Sequence, residues 1–153
     1  MDEQSCPIHV LAVSPVEADL VILANLIGHS AWTFESCPTA DAAGRRIAEG
    51  DIQVVLTDAQ LPDADWKNIL QLSSTVESPP AVVVLSRGGD ERLWAEVLNL
   101  GAWDVLVKPF RAKEVYRTVH TAWRHWTDTH RPRRAVGRAE TAPGRIRAVA
   151  GTR

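Results

Sequence analysis

Three side chains able to hold a phosphoryl group each follow a short apolar run. Asp58 closes Val54-Val55-Leu56-Thr57 and has Pro62 four residues on; Ser86 closes Ala81-Val82-Val83-Val84-Leu85; Lys108 closes Trp103-Asp104-Val105-Leu106-Val107 and leads into Pro109-Phe110. Such runs are too short for a typical helix and read as buried strands. In an open parallel sheet, ligands collect beyond the carboxyl ends of the strands, where strand order reverses. An acid, a hydroxyl and an ammonium gathered there offer an acceptor, a hydrogen-bond donor and a charge clamp.

The intervening segments supply the elements that would position these groups. Ile8 to Val13 reads as strand one, and a helix from Val16 carries Leu20, Leu23, Ala24 and Ile27 on one face until Gly28. Ala31 to Ser36 reads as strand two, with Trp32 and Phe34 on one side of the pleat. Thr39 is placed to cap a helix that turns Ala40, Ala43, Ile47 and Ala48 inward and ends at Gly50. Strand three spans Ile52 to Thr57, and helix three runs from about Lys67 to Thr75. After strand four, Asp90 is the natural cap of helix four, whose inward stripe is expected to be Leu93, Trp94, Val97 and Leu98. Helix five carries Val115, Val119, Ala122 and Trp123 at helical spacing. Five strands alternating with five helices imply a parallel α/β sheet covered on both faces, because each parallel connection needs a crossover.

With 153 residues, 45% of them hydrophobic, the chain suits one globular domain. Its longest apolar runs fall short of a bilayer span, and Met1-Asp2-Glu3-Gln4 has none of the features of a signal peptide, so the simplest location is the cytoplasm. Cys6 and Cys37 lack disulfide or metal spacing and read as reduced thiols. The formal net charge of −2 divides unevenly: residues 127–153 carry seven arginines against Asp128 and Glu140, or +5, which leaves −7 on the rest. That basic stretch lacks apolar periodicity and is expected to be a disordered tail after a domain spanning residues 7–126.

At these motifs the chain resembles the response-regulator receiver domain of bacterial two-component signalling. Leu-Thr-Asp58-Ala-Gln-Leu-Pro62, Val-Val-Leu-Ser86 and Gly101-Ala-Trp-Asp104-Val-Leu-Val-Lys108-Pro109-Phe110 match that family's three motifs in order and at compatible spacing. The resemblance implies a doubly wound five-stranded sheet, order 2-1-3-4-5. It also implies phosphoryl transfer from a histidine kinase or phosphotransfer protein to Asp58, with Ser86 and Lys108 on the phosphoryl oxygens and a magnesium ion offsetting charge. In the family, output and dimerisation commonly use the face of helix four, strand five and helix five.

The departures matter as much. The family closes strand one with two metal-binding acids; here Ser14-Pro15 stand there, which removes most of the fixed negative charge that magnesium would need. Glu17 and Asp19 follow on the first helical turn, from which they are expected to point away from the site. Arg87, after the switch hydroxyl, reads either as a second cation paired with Asp58 in the metal's absence or as a surface loop arginine. Val105 stands where the family has a rotating aromatic ring, which weakens the usual coupling to the output face. Trp66 replaces the usual glycine, as a partner contact or as packing at the mouth of helix three.

Other chemistries find little support. The five histidines form no metal-ligand pattern, no glycine-rich phosphate loop follows strand one, and no nucleophile elbow or Cys-His pairing appears. Two functions from different classes follow: a non-enzymatic phosphorelay receiver standing alone, without an output domain, or a pseudo-receiver that binds protein partners independently of phosphate. Membrane association is not expected. Nucleic-acid binding by the tail is the weakest reading, and a steep salt dependence would reveal it.

Overall fold

The computed structural model describes residues 8–28, 30–87 and 91–130. In chain order the elements are β1 (His9–Val13), α1 (Glu17–Gly28), β2 (Thr33–Cys37), α2 (Ala40–Ile47), β3 (Val54–Asp58), α3 (Trp66–Ser73), β4 (Ala81–Ser86), α4 (Glu91–Asn99), β5 (Asp104–Val107) and α5 (Ala112–His130). All neighbouring strands pair in parallel, in the expected order β2-β1-β3-β4-β5.

Alternation along the strands sorts the core into two layers. Leu11, Val13, Val55, Val82, Val84 and Val105 meet Ala43 and Ile47 of α2, Ile69 of α3 and Val97 of α4. On the other face Val10, Ala12, Val54, Leu56, Val83, Leu85 and Leu106 meet Leu23 and Ile27 of α1 and Val115, Val119 and Ala122 of α5. β3 and β4 are buried at every position, which explains why they read as unbroken apolar runs rather than alternating ones.

Local chemistry sets the helix starts. Thr39 sits in extended backbone and accepts the Ala42 N–H, while Asp63 accepts the Ala40 and Asp41 N–H groups from across the loop. Those backbone donors, Ala40 first, hold the Asp63 carboxyl below its usual range. Asp65 and Asn68 form a reciprocal capping box on α3.

Several expected details differ. β2 begins at Thr33, so Trp32 lies just before it, packed against the α1/α5 layer with Phe34. Ala48 is exposed as the α2 C-cap instead of turning inward. On α4, Val97 is buried and Leu93 half-buried, but Trp94 and Leu98 are exposed, because the sheet receives only one of the two stripes that this helix offers. α5 continues through residues 127–130 to His130; the rest of the basic stretch, along with Cys6, His29 and Asp90, lies outside the described residues.

Candidate functional site

Register brings the predicted groups to one edge. Asp58 pairs with Leu85, so Ser86 is the next residue along β4; Ser86 pairs with Val107, so Lys108 is the next along β5. The Lys108 N–H donates to the Ser86 carbonyl at 2.7 Å, which ties those two strand ends together. Val13 pairs with Thr57, and Ser14 therefore emerges beside Asp58.

Asp58 continues the alternation of Val54 and Leu56 and lies on the side covered by α1 and α5. It is buried, with 6% of its surface exposed. The buried Ser14 hydroxyl donates to Asp58 Oδ2 at 2.7 Å and accepts the Val16 N–H at 3.0 Å. Lys108 Nζ lies 3.0 Å from Asp58 Oδ1, an ion pair by distance but without the direction of a hydrogen bond, and Oδ1 has no hydrogen-bond partner among the described residues. The directed bond from Lys108 Nζ runs instead to Asp19 Oδ2, at 2.6 Å.

Asp19 was expected to point away from the site. It faces into it because it precedes Leu23 by one helical turn and Ile27 by two, on the stripe of α1 that packs against the sheet. Glu17 is exposed, as expected. The pairing of Arg87 with Asp58 is not found: Arg87 is exposed, and the cation at Asp58 is Lys108. Ser86 is buried at the end of β4. Val105 is buried in the core, and Trp66, 2% exposed, packs at the head of α3, with its backbone N–H donating to the Ala59 carbonyl.

The donor set does not fit a magnesium ion. Magnesium takes hard oxygen ligands, generally including one or two carboxylates, around a near-ideal octahedron. Here the end of β1 presents a neutral alcohol and an exposed proline in place of acids, and the two carboxylates that are present, Asp58 and Asp19, both face the Lys108 ammonium, with Asp58 Oδ2 also bonded by Ser14. No group of three acids, histidines or cysteines suited to a metal occurs among the described residues.

A cavity of about 660 Å³ opens elsewhere, near Pro79, Pro80, Gly101, Trp103 and Trp126. It adjoins the amino-terminal ends of β4 and β5, and its lining includes none of Asp58, Ser86 or Lys108. Chemistry at the strand ends therefore belongs to the Asp58 site and not to this cavity. Cys37 is a free thiol, and burial pushes its pKa up to about 11, which makes it a poor nucleophile.

Residues 10–120 match the family model of the response regulator receiver domain. The chain belongs to that family. It is 29% identical over 136 residues to the two-component response regulator ORR2 of Oryza sativa subsp. indica, an alignment covering 87% of this chain and 50% of that protein. It thus spans about half the length of that relative. Among solved structures, the signal receiver domain of an HD domain-containing protein from Pseudomonas fluorescens Pf-5 superposes with a TM-score of 0.75 at 21% identity, covering 84% of this chain and 96% of that one. The beryllofluoride-activated NtrC4 receiver domain dimer superposes with a TM-score of 0.71 at 22% identity, covering 77% and 98%. At these identities the structural likeness speaks for the fold. The family places the receiver in two-component signalling, and no described helix is long and apolar enough to cross a membrane.

Proposed function

We propose that this receiver takes a phosphoryl group on Asp58 from a histidine kinase or phosphotransfer protein and passes the signal on by protein contact. The observation that carries this reading is the Lys108 ammonium 3.0 Å from Asp58 Oδ1, both side chains largely shielded at the strand ends. Oδ2 is taken by the Ser14 hydroxyl, so Oδ1, which lacks a hydrogen bond, is the attacking oxygen. Its lone pair forms the new O–P bond while the donor's N–P bond breaks, and the imidazole leaves with that bonding pair. Lys108 then meets the new charge on the phosphoryl oxygens, and Ser86, on the adjoining strand end, is the hydroxyl placed to follow. The face of α4, β5 and α5, with exposed Trp94 and Leu98, is the surface for a downstream protein or a second copy.

A pseudo-receiver is the second reading, and the Ser14 hydrogen bond favours it: the acceptor already has a donor on one oxygen and a cation beside the other. Intact-mass measurement after incubation with acetyl phosphate, with and without magnesium, separates the two. One added phosphoryl group that Asp58→Asn abolishes supports the relay; an unchanged mass under both conditions supports the pseudo-receiver.

A further inference from the structure

The family's acceptor site is built around a divalent ion, and the residues here do not fit one, yet the carboxylate of Asp58 is buried and its charge needs compensation. We propose that Asp19 is the positioning residue of this site, and that the Lys108 ammonium it holds is the built-in counter-cation of Asp58, standing where a dissociable metal ion would otherwise be required. This deepens the acceptor reading and rests on it only for the identity of the group that Lys108 finally grips.

The hydrogen-bond geometry assigns the positioning role to Asp19. A lysine ammonium ends a flexible four-carbon stem, and its location depends on what fixes its donors. Lys108 Nζ is 2.6 Å from Asp19 Oδ2 in a directed bond and 3.0 Å from Asp58 Oδ1 in an undirected one. Asp19 therefore sets where the charge sits, and Asp58 receives its field. All three side chains are largely shielded, at 12% exposure for Lys108, 16% for Asp19 and 9% for Asp58, so salt screens the arrangement little.

Position along α1 explains why this acid reaches the site. Asp19 is on the stripe that buries Leu23 and Ile27, and Ser14 completes the arrangement from the other side by donating to Oδ2. The chain thus brings to Asp58 one alcohol and one tethered cation that it shares with Asp19, and no part of that compensation depends on free magnesium concentration. Carriage on α1 also gives the site a mechanical link: a displacement of the first turn of α1 moves Asp19 and, through it, Lys108.

The side-chain ammonium of Lys108, observed by ¹H–¹⁵N correlation NMR of the full chain at low temperature and assigned by its absence in Lys108→Arg, tests this directly. A slowly exchanging Lys108 signal is expected in the wild type. It should survive Asp58→Asn, vanish in Asp19→Asn, return in Asp19→Glu, and stay put as magnesium chloride is added; backbone spectra verify that each variant is folded. The proposal is overturned if the wild type gives no such signal, if Asp19→Asn keeps it while Asp58→Asn loses it, or if magnesium shifts it saturably. A second arm follows beryllofluoride binding at Asp58 by ¹⁹F NMR in magnesium-free buffer, after the protein has been stripped with a chelator that is then removed. An adduct in the wild type that weakens at least three-fold in Asp19→Asn supports the proposal, and equal adducts in both overturn it. A wild type with no adduct under any condition defeats Asp58 as acceptor, while the ammonium measurement still decides the role of Asp19.

Discussion

The Ser14 hydroxyl has one proton, and the Val16 N–H, bonded to its oxygen, leaves that proton aimed at Asp58 Oδ2. Hydrogen bonds to a buried charged group contribute about 1.5–3 kcal/mol. Ser14→Ala is accordingly expected to lower the stability of the folded chain by about 2 kcal/mol in urea unfolding; a loss under about 0.5 kcal/mol would show that the bond does not hold Asp58. At this scale the sequence was informative about identities and poor on geometry. Asp58, Ser86 and Lys108 stood out because each ends an apolar run. Asp19 did not, since an acid on the first turn of a helix is common for reasons of the helix dipole alone. A signal was nonetheless present: an acid at four-residue spacing from Leu23 and Ile27 lies on the buried stripe, and a buried charge needs a partner. Arg87 illustrates the converse, a cation beside the site in sequence whose side chain the chain direction leaves in solvent.

The helices differ in how clearly their inner faces could be read. α2 and α5 have sharply divided faces and bury the residues expected of them, Ala48 and the half-buried Trp123 aside. α4 presents Leu93 with Val97 and Trp94 with Leu98, two apolar pairs each at a spacing of four, and periodicity does not choose between them; contact with β5 does. α3 is anchored by Trp66, whose side chain is buried at its first turn and whose backbone N–H bonds Ala59 in the loop that leaves Asp58. Removing so large a buried ring costs about 3–5 kcal/mol. Trp66→Ala should show that loss in equilibrium unfolding, whereas a purely partner-facing tryptophan would show almost none.

Across the whole molecule, one arginine ties α2 to β2 and to the turn before β3, at the edge of the sheet away from α4 and β5. Arg46 of α2 makes two hydrogen bonds to Glu35 of β2 and also bonds Asp51 in the turn before β3, with His9 of β1 close to Glu35. The bonds from Arg46 hold the carboxyls of Glu35 and Asp51 below their ordinary values of 4.5 and 3.8. Because the folded pKa values are the lower ones, this stabilisation is fully present above about pH 4.5 and is lost as the pH falls through the folded values. Arg46→Met should therefore flatten the acid limb of a stability–pH curve measured by urea unfolding between pH 3 and 7, by an amount that shrinks in high salt because both acids are partly exposed. An acid limb that Arg46→Met leaves unchanged would assign acid sensitivity to other groups.

What the sequence by itself determined was the order and type of the elements and the three strand-end groups. These follow from local rules: run length, helical spacing, prolines between elements, and the need for a helical crossover between parallel strands. The tertiary structure decided which groups touch. Strand register put Ser14, Asp58 and Lys108 within bonding distance, and the rotation of α1 against the sheet brought Asp19 to Lys108 across 89 residues of chain. Contacts of that kind depend on how packed elements turn relative to one another, a quantity that no local pattern of residues carries.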